Sequence, residues 1–212
     1  MAKKERLSEF NKSNILSAAK TLFREKGIMQ TSVDDIAKEA DYSKSTIYVY
    51  FKSKDDIFYH LLLEHMQLHK EVLVQALSES PGFPDGYFAI CGAMAKLYET
   101  NPLCFDSILG EIALPQDDSD PILAQIYYAG EELNAVIEGY INKCAAEHTI
   151  SLETTPLQTG FTLWASISGI ITLANKKEAY IRKVMSISKE QFMQDGFVLL
   201  LKTIKGEYTY EK

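Results

Sequence analysis

Two short segments near the N-terminus leave this chain few ways to fold. Thr31 to Ala40 reads TSVDDIAKEA, and Ser43 to Phe58 reads SKSTIYVYFKSKDDIF. Ser32 opens a helix with Asp35 three residues on, the spacing of a capping box. Asp41 and Tyr42 form the turn that follows, and Asp tolerates the left-handed region better than most residues. Ser43 caps the next helix. Ser53 caps another, again with an acid, Asp56, at the third position. Ile47 and Phe51 lie one turn apart and should bury together. At 100° per residue, Ser45 and Val49 point the opposite way, flanked by Thr46 and Tyr48. Two short helices in a tight turn, the second exposed and polar, form a helix-turn-helix, whose usual partner is the DNA major groove.

The rest of the chain also reads as helix. Alternating strand patterns are scarce and no hairpin, repeat or low-complexity segment is evident. A first helix is expected from about Asn11 to Lys26, with Ile15, Ala19, Leu22 and Phe23 on one face and Gly27 as its stop. Val33, Ile36, Ala37 and Ala40 form the apolar face of the second. A fourth helix runs to about Leu77 and ends at the turn-rich SESPGFPDG. Further helices are expected at about 86–100, 102–112, 121–147, 157–176 and 189–205, with ALPQDDSDP and HTISLETTP as loops. The fold class is all-α, with about nine helices.

Charge is unevenly shared. Residues 1–60 carry 11 Lys/Arg against 9 Asp/Glu, and residues 61–212 carry 11 against 20. The basic side chains therefore concentrate at the helix-turn-helix end, while the net −7 of the whole chain argues against a protein that coats nucleic acid without selectivity. Cys91, Cys104 and Cys144 are odd in number and lack paired spacing, which favours reduced thiols. With no signal pattern and no apolar run near the ~20 residues that span a bilayer, a cytoplasmic location is expected.

The N-terminal 60 residues resemble the TetR family of bacterial transcriptional regulators. The matching stretches are ILSAAKTLFREKG and TSVDDIAKEADYSKSTIYVYFKSKDDIF, including the IY-x-YF core of the third helix and the K-x-K-DD entry to the fourth. Asp41 departs from the glycine usual there. The resemblance implies a DNA-binding domain over residues 1–55 and a helical effector-binding and dimerisation domain over 56–212. It implies a homodimer on palindromic operator DNA, associated with the nucleoid when bound, acting as a repressor released by a small-molecule effector. It also implies that Tyr48, Tyr50 and Lys54 meet phosphates. Helix 4 joins the two parts and would carry the switch from near Met66 to Lys54.

The residues themselves allow a sharp and a plain reading. Ser43, Lys44, Ser45, Thr46, Tyr48 and Val49 either enter the groove or decorate an ordinary surface helix. Lys can donate to guanine, hydroxyls to several bases, and Val can touch a thymine methyl. Thr31 and Ser32 can donate to phosphate, and for Ser32 capping accounts for the hydroxyl equally well. Met66, Met94, Tyr98, Cys104, Phe105, Tyr127, Tyr128 and Trp164 either line an apolar ligand cavity or are plain core. Their apolar and aromatic character suggests an effector of the same kind. Glu111 and Glu131 are better read as exposed than as partners of a cationic ligand. Leu157, Phe161, Ile167, Ile171, Phe192, Phe197 and Leu201 crowd the last two long helices, which must bury more than one face and so suggest a dimer interface. His60, Glu64, His65 and His69 show helical spacing without H-E-x-x-H order, so a polar helix is preferred to a metal site. No phosphate-binding loop, dinucleotide fingerprint or nucleophile elbow is found, so neither an enzyme nor a cofactor is expected. The rival within the same fold is a structural DNA-binding protein without an effector.

Overall fold

The computed structural model describes residues 3–110 and 121–204. They form ten α-helices: α1 (Lys3–Lys26), α2 (Val33–Glu39), α3 (Lys44–Tyr50), α4 (Lys54–Glu79), α5 (Asp85–Thr100), α6 (Pro102–Ile108), α7 (Pro121–Ala146), α8 (Pro156–Lys176), α9 (Glu178–Tyr180) and α10 (Lys189–Ile204), with a π-helical turn at Ile181–Met185. The chain divides into two compact units. One comprises residues up to Met66 together with 103–129; the other comprises 67–102 and 130–212.

In the first unit the core is built from the residues the helical periodicity selects. Ile15, Ala19 and Phe23 of α1, Ile36 and Ala37 of α2, Ile47, Phe51 and Ile57 are all buried. Leu22, Val33 and Ala40 are only half-buried, at the margins of this core. Gly27 takes φ +82° and its N–H closes on the Phe23 carbonyl at 3.0 Å, so α1 stops where only a residue without Cβ turns cheaply. The helix begins earlier than Asn11 because KKERLSEF is rich in good helix formers.

In the second unit α8 packs between α5 and α10. Tyr87, Met94 and Leu97 of α5, Ile167, Ile171 and Ala174 of α8, and Phe197 and Leu201 of α10 are buried. The Tyr87 hydroxyl donates to the Phe197 carbonyl at 2.8 Å, which ties α5 to α10 inside the core. Thr155 caps α8, its hydroxyl accepting from the Gln158 N–H at 3.2 Å, with Pro156 in the first turn. The HTISLETTP loop ends there. The ALPQDDSDP segment falls largely outside the described residues.

The stretch between the two last expected helices holds α9 and the π turn, ended by Ser186 at φ +59°. The structure also corrects an expectation. Helix α8 does reach membrane-spanning size: 21 residues with a window of mean hydropathy 1.2. Its many Ser and Thr residues hid this from a count of apolar runs. Hydroxyls such as Thr162 and Ser166 donate back to the carbonyl four residues earlier. Here α8 serves as a core helix, although only 28% of that window is buried within the chain.

Candidate nucleic-acid interface

The helix-turn-helix is held by local hydrogen bonds. The Ser32 hydroxyl accepts from the Asp35 N–H at 3.1 Å, while the Asp35 carboxylate accepts from the Ser32 N–H at 2.8 Å, completing the capping box. Lys26 reaches the same carboxylate at 2.9 Å. Lys26, then Ser32, hold the Asp35 carboxyl well below the usual carboxylate range. Asp41 takes φ +59° in the turn, and the Tyr42 N–H returns to the Ala37 carbonyl at 2.9 Å. Ser43 caps α3 by accepting from the Thr46 N–H at 3.1 Å. Ser53 caps α4 from the Asp56 N–H at 3.1 Å, and Asp56 accepts from the Lys52 N–H at 2.7 Å.

These caps present one face of α3 to solvent. Val49 is 75% exposed and Tyr48 51%. Ser43, Lys44 and Ser45 are exposed beside them, and Thr46 is half-buried. The hydroxyls of Ser45 and Thr46 lie 2.7 and 2.8 Å from that of Ser43, a polar cluster at the start of the helix. Lys44 donates to Asp34 at 2.7 Å, and that bond shifts its ammonium above the usual lysine range.

Three candidate contacts sit differently. Thr31 is 2% exposed, and its hydroxyl donates to the Gly27 carbonyl at 2.8 Å. The structure sets its side chain apart from the outward group. Lys54 donates to the carbonyls of Ile28 and Thr31 at 2.6 and 2.9 Å. It thereby ties the loop between α1 and α2 to the start of α4, and one of its three N–H donors remains. Tyr50 is half-buried, and its hydroxyl accepts from Asn11 at 2.8 Å. Sequence reasoning placed Tyr42 only in the turn and Asn11 only at a helix start. The signal available was two asparagines, Asn11 and Asn14, inside a helix that neither favours.

The second unit holds an apolar cavity of about 40 Å³ among α5, α7 and α8. Met94 and Trp164 line it, with Tyr87, Tyr140, Cys144 and Gly160 among the neighbours that spacing did not select. Among the described residues no charged side chain lines it. Burial holds the Tyr87 and Tyr140 hydroxyls far above the phenolic range and pushes the nearby Cys91 thiol up to about 12, so these groups are neutral at neutral pH. Tyr98 is buried away from this cavity, Met66 and Phe105 belong to the other unit, and Tyr128 is 63% exposed. Of the residues expected at a dimer interface, Leu157 and Phe161 are exposed and Phe192 is half-buried, whereas Ile167, Ile171, Phe197 and Leu201 fill the core of their own chain. His60 bonds the Asp56 carbonyl at 2.9 Å, and His65 and His69 are buried.

Comparison with known proteins bears on the helix-turn-helix first. Residues 15–61 match the model of the bacterial regulatory proteins, tetR family. The chain is 35% identical over 71 residues to the HTH-type transcriptional regulator EthR of Mycobacterium tuberculosis, covering 34% of this chain and 32% of that one. It is 38% identical over 128 residues to the fatty acid metabolism regulator protein of Bacillus subtilis, covering 60% of this chain and 61% of that one. In both cases the match spans less than two thirds of the relative's length. The structure of the transcriptional regulator FadR from Bacillus subtilis in complex with stearoyl-CoA superposes with a TM-score of 0.67 at 18% identity, covering 91% of this chain and 98% of that one. That likeness is one of fold.

Proposed function

We propose that this chain, whose residues 15–61 match the bacterial regulatory proteins of the tetR family, is a dimeric one-component transcriptional repressor, released from a palindromic operator by a small apolar or aromatic ligand. The family is one of transcription regulators, not of enzymes. The observation that carries the reading is the face of α3, where Tyr48 and Val49 stand exposed in a polar frame fixed by caps at both ends of the turn. In this reading Ser45, Thr46 and Val49 read base edges, and Tyr48 reaches a base edge or the phosphate beside it. Ser32, Ser43, Lys44, Tyr50 and Lys54 meet phosphate and set the register. Thr31 contributes from inside, through the carbonyl that holds Lys54.

The uncharged lining of the second-unit cavity supports an apolar effector. The Bacillus subtilis relatives, one named for fatty acid metabolism and one solved with stearoyl-CoA, make a long-chain acyl group the first probe. One observation favours a second reading, a DNA-binding protein of the same fold without an effector. The cavity of about 40 Å³ is roughly a quarter of one that holds benzene. An effector must therefore part α5, α7 and α8, and bind that opened form better than the closed one.

Linkage separates the two readings. Operator DNA must weaken effector binding by the same factor that effector weakens DNA binding. Calorimetry with stearoyl-CoA, with and without a duplex that the protein retains in a gel shift, measures both. Reciprocal weakening supports the effector-released repressor. Equal acyl affinity in both experiments, or no binding across a panel of apolar and aromatic compounds, favours the effector-free reading. Failure of the protein to retain any duplex, or retention unchanged in both Tyr48→Ala and Thr46→Ala, overturns the DNA contact itself.

A further inference from the structure

Asn11 of α1 holds both ends of the recognition segment. Its Oδ1 accepts from the Tyr42 hydroxyl at 2.9 Å, and its Nδ2 donates to the Tyr50 hydroxyl at 2.8 Å. Tyr42 stands two residues before α3, and Tyr50 is the last residue of that helix. Asn14, nearly one turn along α1, donates to the Tyr42 hydroxyl at 3.4 Å. The donors all run one way: Asn14 to Tyr42, Tyr42 to Asn11, Asn11 to Tyr50. A phenol has a single proton. Tyr42 spends its proton on Asn11. Tyr50 receives a hydrogen bond and keeps its own proton free to donate, from a half-buried ring at the edge of the exposed α3 face.

We propose that Asn11 is a positioning residue for DNA recognition, clamping both ends of α3 and setting the polarity of this chain so that the Tyr50 proton is offered to a phosphate oxygen. The inference rests on the DNA-binding reading above. Each bond in such a chain polarises the next, so the terminal hydroxyl becomes a better donor to an anion than an isolated phenol. The sense of the chain depends on Asn11 carrying one acceptor and one donor. Aspartate at this position would carry acceptors only. It would still accept from Tyr42, and it would draw the Tyr50 proton inward. The clamp would survive and the outward donor would vanish.

The test uses the wild type, Asn11→Asp, Tyr50→Phe and the double variant, each full-length. They are titrated at fixed salt against a duplex that the wild type selects from a randomised pool, and each is melted as a folding control. Loss of one charge-assisted hydrogen bond per protomer should weaken binding roughly tenfold or more in each single variant. Asn11→Asp also adds a negative charge, and its effect in the Tyr50→Phe background measures that charge alone. The expected result is strong coupling: most of the Asn11→Asp loss disappears once Tyr50 is replaced. Tyr42→Phe provides a second route should Asn11→Asp fold poorly. It frees the Asn11 amide to turn over and accept from Tyr50, so it too should weaken binding only while Tyr50 is present. Wild-type affinity in Asn11→Asp, or an equal loss in both backgrounds, overturns the polarity while the DNA-binding reading stands. If the wild type selects no duplex, that reading falls and this inference falls with it.

Discussion

Asp41 occupies a backbone conformation that most side chains avoid. Its φ of +59° places Cβ close to the following carbonyl, at a cost of roughly 1–2 kcal/mol that glycine escapes. Glycine also gains freedom in the unfolded chain, which offsets part of the benefit. Asp41→Gly should therefore raise the unfolding free energy by roughly 0.5–1 kcal/mol. A urea titration should show a higher midpoint with an unchanged slope; a lower midpoint would mean the Asp41 side chain contributes more than its backbone costs. Asp35 makes the opposite kind of contribution. Lys26 and Ser32 lower its folded-state pKa, so its stabilisation is present above the unfolded value of about 3.9 and is lost as pH falls through the folded value. Asp35→Asn should flatten the acid limb of the stability profile. The effect should shrink at high salt, because the ion pair lies at the surface. An acid limb identical to that of the wild type would remove Asp35 from the account.

At the scale of elements, close approach between helices depends on single glycines. A Cβ added to Gly160 of α8 would lie 2.9 Å from Cγ2 of Ile137 on α7, a branched side chain with little room to turn. Overpacking of about 1–3 kcal/mol outweighs the helix-propensity gain of about 1 kcal/mol, so Gly160→Ala should destabilise. Gly139 of α7 has open space around its missing Cβ, and Gly139→Ala should stabilise by up to about 1 kcal/mol. Thermal melts of the two variants should move in opposite directions; movement in the same direction would show that propensity, not packing, governs α7 and α8. The same division explains what the sequence made legible. Caps at Ser32, Ser43 and Ser53 join residues three apart, so spacing alone located the helix-turn-helix and its exposed face. The bonds from Asn11 to Tyr42 and Tyr50 cross 31 and 39 residues, and no local pattern encodes them. Periodicity marked Met94, Tyr98 and Trp164 as apolar positions, but whether a gap opens beside each one depends on how three helices meet. For α8 and α10, apolar on more than one face, spacing could not say which face fills the chain's own core.

At the scale of the whole molecule, the apolar surface of α8 bears on the proposed dimer. Leu157, Phe161 and Leu173 of α8 and Leu199 of α10 are 42%, 46%, 49% and 60% exposed. Phe161 edges against Trp164 with ring centroids 6.2 Å apart, so a pre-set aromatic pair stands near the surface. Two copies that join these helices would cover this surface in a symmetric four-helix contact and hold two recognition helices for the two halves of a palindrome. Phe161 and Phe197 separate association from folding. Phe161→Asp places a charge on a face the protomer leaves open, and should give a folded monomer with greatly weakened operator binding. Phe197 is 5% exposed and its carbonyl accepts from Tyr87 inside the core. Phe197→Asp buries an unpaired charge and should unfold or aggregate the chain. Sedimentation at micromolar concentration, with circular dichroism alongside, distinguishes these outcomes. A wild type that sediments as a native monomer under those conditions, or a Phe161→Asp variant that remains dimeric, would remove α8 from the interface and require another surface to bring the two recognition helices together.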